Sequence, residues 1–322
     1  ILILDGEGRI TMGEEVLPYQ KGDSFFLSAG SGTYQIEGIC DALVTTIREK
    51  AAPVRIGIDM GSTWTRVGLV DVHQKLLAST EIPADTSCEP GKAIQKIAEA
   101  SLALLEQQKI PMDQCVGAGI GVPGTIDRKA GIVRYSNNIR WEQVKLKEEL
   151  GTWLPIPISI ANNADCAAFG EAVAGAGKEC QDVVMLTIGA GVGGGIILDG
   201  EIYQGKGIGG SELGHMVIVE DGKDCTCGRK GCLEAYASLT ALQKAAEAAT
   251  RQNLTPEEIF QSAAQGSQAL RKVTEDYTRK LGTGIVNIVN IFRPQLVILG
   301  GSISAWGDML LVPLQEQIEK DC

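Results

Sequence analysis

The sequence contains no long apolar run. No stretch of its 322 residues approaches the roughly 18 consecutive apolar residues that a membrane-spanning helix needs. A secretory signal pattern is also missing, because the opening residues, ILILDGEGRI, turn polar and glycine-rich almost at once. We therefore expect a cytoplasmic protein that does not interact with membranes.

Positive charge is scarce. The chain has 29 lysines and arginines against 40 aspartates and glutamates, which gives a net charge of −11. General nucleic-acid binding depends on basic surface, so no nucleic-acid partner is expected. Phosphate can still be held locally by backbone N–H groups and a metal ion. The length is sufficient for two domains and a substantial core.

Cysteines are mostly isolated. Six of the nine are scattered singly, as in a reducing compartment, and three lie in CTCGRKGC. Together with a preceding histidine they form the pattern H-x9-C-x-C-x4-C, made by His215, Cys225, Cys227 and Cys232. Three thiolates and one imidazole complete a closed tetrahedral set, which is typical of structural zinc. A disulfide or unliganded thiols are the alternatives, and the reducing compartment and the tight spacing disfavour them.

Two carboxylates flank this motif. Glu212 lies three residues before His215, and Glu234 lies two residues after Cys232. One metal would therefore fix both carboxylates across a single pocket, where they are good acceptors for sugar hydroxyls. The alternative for each glutamate is a solvated surface charge.

The pattern of the chain changes near residue 50. Residues 1–47 alternate short apolar runs with Gly- and Asp-rich turns, which predicts β-hairpins. Residues 47–53 are typical of a linker, and strands then alternate with helices, which indicates an α/β architecture. The longest helix is expected roughly from Gln268 to Phe292. An earlier helix is predicted by one apolar stripe, formed by Ile94, Ile97, Ala98, Leu102 and Leu105.

A glycine-rich stretch, IGAGVGGG at 188–195, formally contains G-x-G-x-x-G at Gly189, Gly191 and Gly194. A dinucleotide fingerprint must open a helix, but IILDG follows here and predicts a strand. A hairpin whose backbone closes on phosphates fits the context better. A tight hairpin without a ligand is the alternative.

A second hairpin, IGIDMGSTWTRVGLVD, brings Asp59, Gly61 and Thr63 into one turn. A carboxylate, a close-approach glycine and a hydroxyl at alternate positions suit a magnesium-bound nucleotide. Acidic residues and glycines are common in hairpin turns, so this turn alone is weak evidence. Combined with the first glycine-rich hairpin and LGGS at 299–302, it predicts a three-part nucleotide cradle.

The stretch ISIANNADCAAFGE, residues 158–171, is typical of a buried strand that runs into a helix. This is a common place for a reactive side chain, yet it carries two neutral amides, Asn162 and Asn163, where an enzyme needs a base. The nearest carboxylate is Asp165. Three interpretations stay open: an active site, a disabled one, and a capped helix.

The chain from about residue 53 to residue 322 resembles the ROK family of sugar kinases and related repressors. The resemblance is carried, in order, by DMGST, GVPG, NNIRW, NNADCAAFGE, GAGVGGG, ELGH, CTCGRKGCLE and LGGS. It implies the two-domain actin-like (ribonuclease H-like) α/β fold, with kinase domains at 53–165 and 166–322. It also implies ATP-dependent transfer of phosphate to the 6-hydroxyl of a hexose such as glucose, mannose or fructose.

The resemblance implies roles for individual residues. The sugar would be contacted by Asn138, Asn162, Glu212, His215 and Glu234. The nucleotide would be lined by Asp59, Gly61, Thr63, Thr187, Gly189, Gly191, Gly193, Gly194, Gly195, Gly300 and Gly301. Mg²⁺ would lie near Asp59, zinc would brace the sugar loop, and the family's usual assembly implies a homodimer.

At the catalytic junction the sequence departs from the family. ROK kinases typically show E-N-D-A-N, with the aspartate as base, and this chain has A-N-N-A-D, so Asn163 occupies the base position. Asp165 could substitute only if residue 163 is still extended, because in a helix residues two apart point about 200° apart. Otherwise Asp165 fits helix capping and the helix dipole. The alternative function is a catalytically impaired sugar-binding protein. The threonine often found in the phosphate hairpin is also replaced, by Ala190.

Residues 1–50 resemble the cupin end of a type I mannose-6-phosphate isomerase. They contain no histidine, so that enzyme's metal site is not expected here. The resemblance suggests that the kinase product is a substrate for hexose-phosphate isomerisation. The family's repressors carry an N-terminal helix-turn-helix, which nothing here resembles, and the family's last helical segment is expected to be missing after QIEKDC.

Overall fold

A computed structural model describes residues 1–25, 33–43, 52–61, 63–84, 89–205 and 208–322. The chain divides into two compact units, Ile1–Ala51 and Ala52–Cys322. Most of the predicted linker at 47–53 lies outside the described residues. No helix in the described ranges is long and apolar enough to cross a membrane.

The first unit is an antiparallel sheet of three strands. They are β1 (Leu2–Met12), β2 (Glu15–Tyr19) and β3 (Tyr34–Leu43), in the order β2-β1-β3. Ile3, Ile10 and Tyr19 form its small core. The β-rich character expected from the alternating pattern is confirmed.

The second unit contains two main sheets and a small one. Its first half comprises β4 (Val54–Met60), β5 (Trp64–Val70), β6 (Leu76–Pro83), α1 (Pro90–Gln107), β7 (Cys115–Val122), β8 (Thr125–Asp127), β9 (Ile132–Ser136), β10 (Trp141–Val144), α2 (Leu146–Gly151) and β11 (Ile158–Asn162). Five of these strands form a sheet in the order β11-β7-β4-β5-β6, and β8, β9 and β10 form the small one. Strand β7 is parallel to both β4 and β11.

Alternation along β4 places the first functional residue. Val54, Ile56, Ile58 and Met60 are buried, and the residues between them, Asp59 included, point to the opposite face. The buried face packs on α1, where Ile94, Ile97, Ala98 and Leu105 are buried as predicted.

The predicted stripe on α1 is wrong at one position. Leu102 is 37% exposed, and Ser101 and Leu104 are buried instead. Residues 101 and 104 lie closer than residue 102 to the line that joins Ile94, Ile97 and Leu105, because each residue advances about 100° around the helix.

The second half comprises α3 (Asn163–Ala174), β12 (Val183–Ile188), β13 (Val192–Leu198), β14 (Glu201–Ile202), α4 (Glu234–Ala237), α5 (Leu239–Thr250), α6 (Pro256–Ala264), α7 (Gln268–Phe292), β15 (Leu296–Gly300) and α8 (Asp308–Asp321). The strands form a sheet in the order β14-β13-β12-β15. The prediction of the longest helix, α7, is confirmed.

Helix α3 packs against both main sheets, through β7 on one side and through β12 and β13 on the other. Glycines make this possible. A Cβ atom at Gly121 of β7 would lie 3.3 Å from Cα of Asn163, and one at Gly195 of β13 would lie 2.5 Å from Cβ of Ala168. Any side chain at Gly195 would therefore push the helix off the sheet.

We expect Gly195→Ala to lower the free energy of unfolding by about 1–3 kcal/mol, since it overpacks a well-packed contact. Gly189→Ala is the matched control in the same hairpin, because no atom lies within 4 Å of the added Cβ. Denaturant unfolding of both variants tests the difference, and equal stabilities would contradict the close packing of α3 on β13.

Candidate active site

Three parallel strands bring the candidate catalytic residues to one edge of the first sheet. Asp59 of β4 and Ala161 of β11 both pair with Gly121 of β7, so they lie at the same level. Asn163 follows directly, against Gly121. The predicted acidic residue and the predicted base position therefore flank the same strand end.

Asp59 is exposed, and its side chain points to the face of the sheet on which α3 packs. Desolvation raises the pKa of its carboxyl group, and the positive charge of Arg66 partly opposes this. The turn beyond it is tight: Gly61 N–H donates to the carbonyl of Trp64 at 2.9 Å, and a Cβ at Gly61 would lie 2.8 Å from that oxygen. Thr63 is exposed at the tip, next to Ser62, which lies outside the described residues.

Asn162 is the N-cap of α3. Its side-chain oxygen accepts the N–H of Ala164 at 2.8 Å, and its amide nitrogen donates to the carbonyl of Gly124 at 2.9 Å. The helix therefore begins at Asn163, so residue 163 is not extended. The capping role considered for Asp165 belongs to Asn162.

Asn163 and Asp165 have different surroundings. Asn163 is half-buried at the sheet edge, and among the described residues its side chain has no hydrogen bond. Asp165 is 1% exposed and lies against Gly210, where a Cβ atom would be 2.9 Å from its Oδ2. Because the two side chains leave a helix about 200° apart, this geometry gives no support to Asp165 as a substitute base.

The burial of Asp165 changes its titration. Desolvation raises the pKa of Asp165 to about 6, and the charge of Glu212 adds to the rise. The positive charge of Arg128 and a hydrogen bond from the Ser211 backbone oppose it. The neighbouring thiol of Cys166 has its pKa raised to about 11 by burial and by Asp165, so it stays protonated near neutrality.

The predicted metal ligands come together. The ligand atoms of His215, Cys225, Cys227 and Cys232 all lie within 4.8 Å of one another. Sγ of Cys227 is 3.7 Å from Sγ of Cys232, and Sγ of Cys225 is 3.5 Å from Nδ1 of His215. With Zn–S near 2.3 Å and Zn–N near 2.1 Å, tetrahedral angles require separations of about 3.6–3.8 Å. The donor set and its spacing therefore fit zinc.

Two glycines shape this metal loop. Gly228 has φ +84° and Gly231 has φ +78°. At Gly231 a Cβ atom would also lie 1.7 Å from the carbonyl oxygen of Val219, so no other residue fits there.

The two flanking glutamates, Glu212 and Glu234, differ in their contacts with the rest of the protein. Glu234 Oε2 accepts the backbone N–H of Val192 at 3.0 Å, and its Oε1 accepts the hydroxyl of Thr226 at 2.9 Å. It therefore joins the glycine hairpin to the metal loop. Glu212 contacts His215, with its Oε2 3.9 Å from Nε2 of the imidazole, and its exposed carboxylate is accessible to a ligand.

The glycine-rich hairpin connects β12 to β13, so the sequence argument against a dinucleotide fold is confirmed. Its turn is fixed by the start of α5. Leu239 N–H donates to the carbonyl oxygen of Gly189, and the Thr240 hydroxyl donates to the carbonyl oxygen of Ala190. Thr187 pairs with Gly300, which brings LGGS beside the hairpin. Two parts of the predicted cradle are therefore adjacent.

The five predicted nucleotide glycines of the hairpin fall into two groups. The turn contains Gly189, where no atom lies within 4 Å of an added Cβ, and Gly191, which lies close to Glu234. The other three lie within β13 and face protein: Gly193 faces Thr187 and Ala164, Gly194 faces Leu213, and Gly195 faces Ala168. At Gly301, φ is +88° and a Cβ would lie 2.4 Å from the carbonyl of Ile188.

Asn138 is exposed on the turn between β9 and β10. It follows the end of β9 and precedes the buried residues Ile139 and Trp141.

Sequence reasoning missed two residues that the structure brings to the site. Arg128, in the turn after β8, acts on Asp165 and Cys166. Thr226 holds Glu234. Neither carries a distinctive sequence signal, because both contacts depend on tertiary packing.

Comparisons with known proteins agree with this geometry. The ROK family model matches residues 55–321, and the model of the mannose-6-phosphate isomerase cupin domain matches residues 1–47. A glucokinase of Thermotoga maritima is 35% identical over 82% of this chain and 86% of its own length. A xylose repressor of Caldicellulosiruptor bescii is 30% identical over 82% of this chain and 70% of its own.

Solved structures give the same picture. A ROK hexokinase from Thermus thermophilus has a TM-score of 0.76 at 27% identity, covering 83% of this chain and 88% of its own. A ROK glucokinase from Streptomyces griseus, in complex with glucose and AMPPNP, has a TM-score of 0.69 at 29% identity, covering 83% and 89%. The fold is therefore the actin-like sugar-kinase fold, and the chain belongs to the ROK family.

Proposed function

We propose that the chain is an ATP-dependent hexose kinase that transfers the γ-phosphate of ATP to the 6-hydroxyl of glucose, mannose or fructose. The observation that carries this is the meeting of Asp59 and Asn163 at one strand end. The Streptomyces griseus relative is 29% identical to this chain, and its structure is a complex with glucose and AMPPNP. This supports a hexose and ATP as the ligands proposed here.

The sugar would be held by Asn138, Asn162, Glu212, His215 and Glu234, with the exposed carboxylate of Glu212 accepting hydroxyl protons. The backbone of Gly189, Gly191, Gly300 and Gly301 would hold the phosphates. Asp59 would hold Mg²⁺ through its hydration shell, and this ion would neutralise charge on the phosphates.

Asn163 would accept a hydrogen bond from the attacking hydroxyl through its amide oxygen. It cannot take the proton, because an amide is not a base near neutral pH. General-base catalysis typically contributes about 10²–10⁴-fold. Phosphoryl transfer depends mainly on positioning and charge neutralisation, so turnover would be reduced while sugar binding persists.

The presence of Asn163 at the base position supports a second candidate function, a sugar-binding ROK protein with little turnover. The match to a xylose repressor at 30% identity agrees with it, since the family also contains proteins that are not named as kinases. A hexose-binding site is common to both candidates, and turnover separates them.

We expect Asn163→Asp to raise kcat by about 100-fold or more, because it supplies a base at the end of β11. A coupled assay of ADP release with a panel of hexoses measures this. Asn253→Asp, the same change on an exposed loop, is the control and should leave the rate unchanged. If the unmodified chain reaches more than about a tenth of the variant's rate, the interpretation of residue 163 is wrong.

The N-terminal cupin match favours particular hexoses. An isomerase of this class interconverts an aldose and a ketose 6-phosphate, so a kinase joined to such a domain would make mannose or fructose 6-phosphate. We expect kcat/KM for mannose or fructose to exceed that for glucose by at least about tenfold in the same panel. A preference for glucose would remove this link and leave the kinase proposal intact.

We also propose that the metal loop holds structural zinc. Metal analysis of freshly purified protein should give about one equivalent, because a closed four-ligand site stays occupied. Cys227→Ser should reduce the content to less than about half an equivalent. Cys180→Ser, at an isolated cysteine outside the motif, is the control and should not. A native content below about half an equivalent would contradict the proposal.

A further inference from the structure

The segment that leads into the metal loop rests on the start of α3. A Cβ atom at Gly210 would lie 2.9 Å from Oδ2 of Asp165 and 3.3 Å from Cβ of Asn162. At Gly209, with φ +114°, a Cβ would lie 3.6 Å from Cγ2 of Thr125 in β8. The segment 209–212 is therefore lodged between β8 and α3, and it ends in Glu212.

Asp165 is the ionisable residue beneath this segment. Its side chain is 1% exposed, and its Oδ1 is buried with no hydrogen-bond partner in the part of the chain that the structure describes. An ionised carboxylate is costly in such surroundings, because Arg128 and the Ser211 N–H replace only part of the hydration that it loses. Gly210 lies against the carboxyl group, so admitting water there requires the segment to move.

The charges around Asp165 are few. Arg128 favours its ionised form, Glu212 opposes it, and the thiol next to it, Cys166, is protonated near neutrality. Strands β11, β12 and β13 pack against α3 and contain no titratable side chain. Among the described residues, β7 and β14 contribute Cys115 and Glu201, and Asp59 of β4 faces the start of α3 and acts on Cys166.

We propose that Asp165 is a positioning residue whose uncharged carboxyl group holds the segment 209–212, and with it Glu212, against the start of α3, while its ionisation releases the segment. The inference rests on the proposed sugar site, since Glu212 would matter there. It assigns to Asp165 a role other than that of a substitute base.

The direction of the pH dependence follows from the titration of this group. Asp165 has a pKa of about 6 in the folded segment, and an exposed aspartate has one of about 3.9. The closed segment therefore favours the protonated acid. Its advantage is complete below about pH 4, falls as the pH rises to about 6, and stays lost at higher pH.

Hydrogen–deuterium exchange of the peptide that covers residues 208–215 tests this without any ligand. Asp165→Asn carries no charge and keeps an oxygen to accept the Ser211 N–H. At about pH 8 we expect this peptide to exchange at least about tenfold more slowly in the variant than in the native chain. At about pH 4.5 the ratio of the exchange rate in the native chain to that in the variant should be at least about threefold smaller than at about pH 8.

Asp182→Asn is the matched control, because the Asp182 carboxylate also accepts a backbone N–H, from Asp199 at 2.9 Å. It lies at the opposite end of β12 and should leave the peptide unchanged. Equal exchange in the native chain and Asp165→Asn at about pH 8 would overturn the proposal. The native chain alone, compared at the two pH values after correction for intrinsic exchange, gives the same test if the variant does not fold.

Calorimetric titration with hexoses gives an independent readout. Native affinity should fall as the pH rises from about 4 to about 6 and stay low above that, and Asp165→Asn should abolish this fall. A loss of kcat of about 100-fold in Asp165→Asn with unchanged KM would instead indicate a base, and would overturn the positioning role. If the exchange result is as expected and no hexose binds or reacts, the proposed function fails while the positioning role stands.

Discussion

The close approach of α3 to two sheets at once is the constraint on which the candidate site depends. Gly121 admits the start of the helix on one side, and Gly195 admits its second turn on the other. Asn162 then fixes where the helix begins, by capping it and by bonding the carbonyl of Gly124. The boundary that sequence analysis places between residues 165 and 166 falls inside this helix, which belongs to both halves through its contacts.

Local sequence patterns predicted those parts of the molecule that depend on residues lying close together in the chain. The four metal ligands are grouped as H-x9-C-x-C-x4-C implies, and the strand after IGAGVGGG separated a hairpin from a dinucleotide fold. The α/β fold and the helix at Gln268–Phe292 were predicted from periodicity and agree with the structure. Leu102 was misplaced, because it is apolar but its helical angle lies farther from the buried stripe than those of Ser101 and Leu104.

Long-range contacts account for what sequence could not predict. The partners of Glu234 are 42 and 8 residues away, and no pattern joins them. The segment 209–212 covers Asp165, a residue far earlier in the chain, so the burial of Asp165 follows from the tertiary fold. Sequence alone could not tell whether Asn162 or Asn163 caps the helix. The answer depends on where β11 ends, and a sequence-based assignment places that end only to within one or two residues.

The glycines of β13 have a consequence for how members of this family are told apart. Gly193, Gly194 and Gly195 each face another part of the protein, so their identity is dictated by shape, whether or not a nucleotide binds. A chain that only senses a sugar needs the same shape as one that phosphorylates it. Under the proposed function, what separates a catalyst from a sensor lies outside these three glycines, and residue 163 is the position that we propose for it.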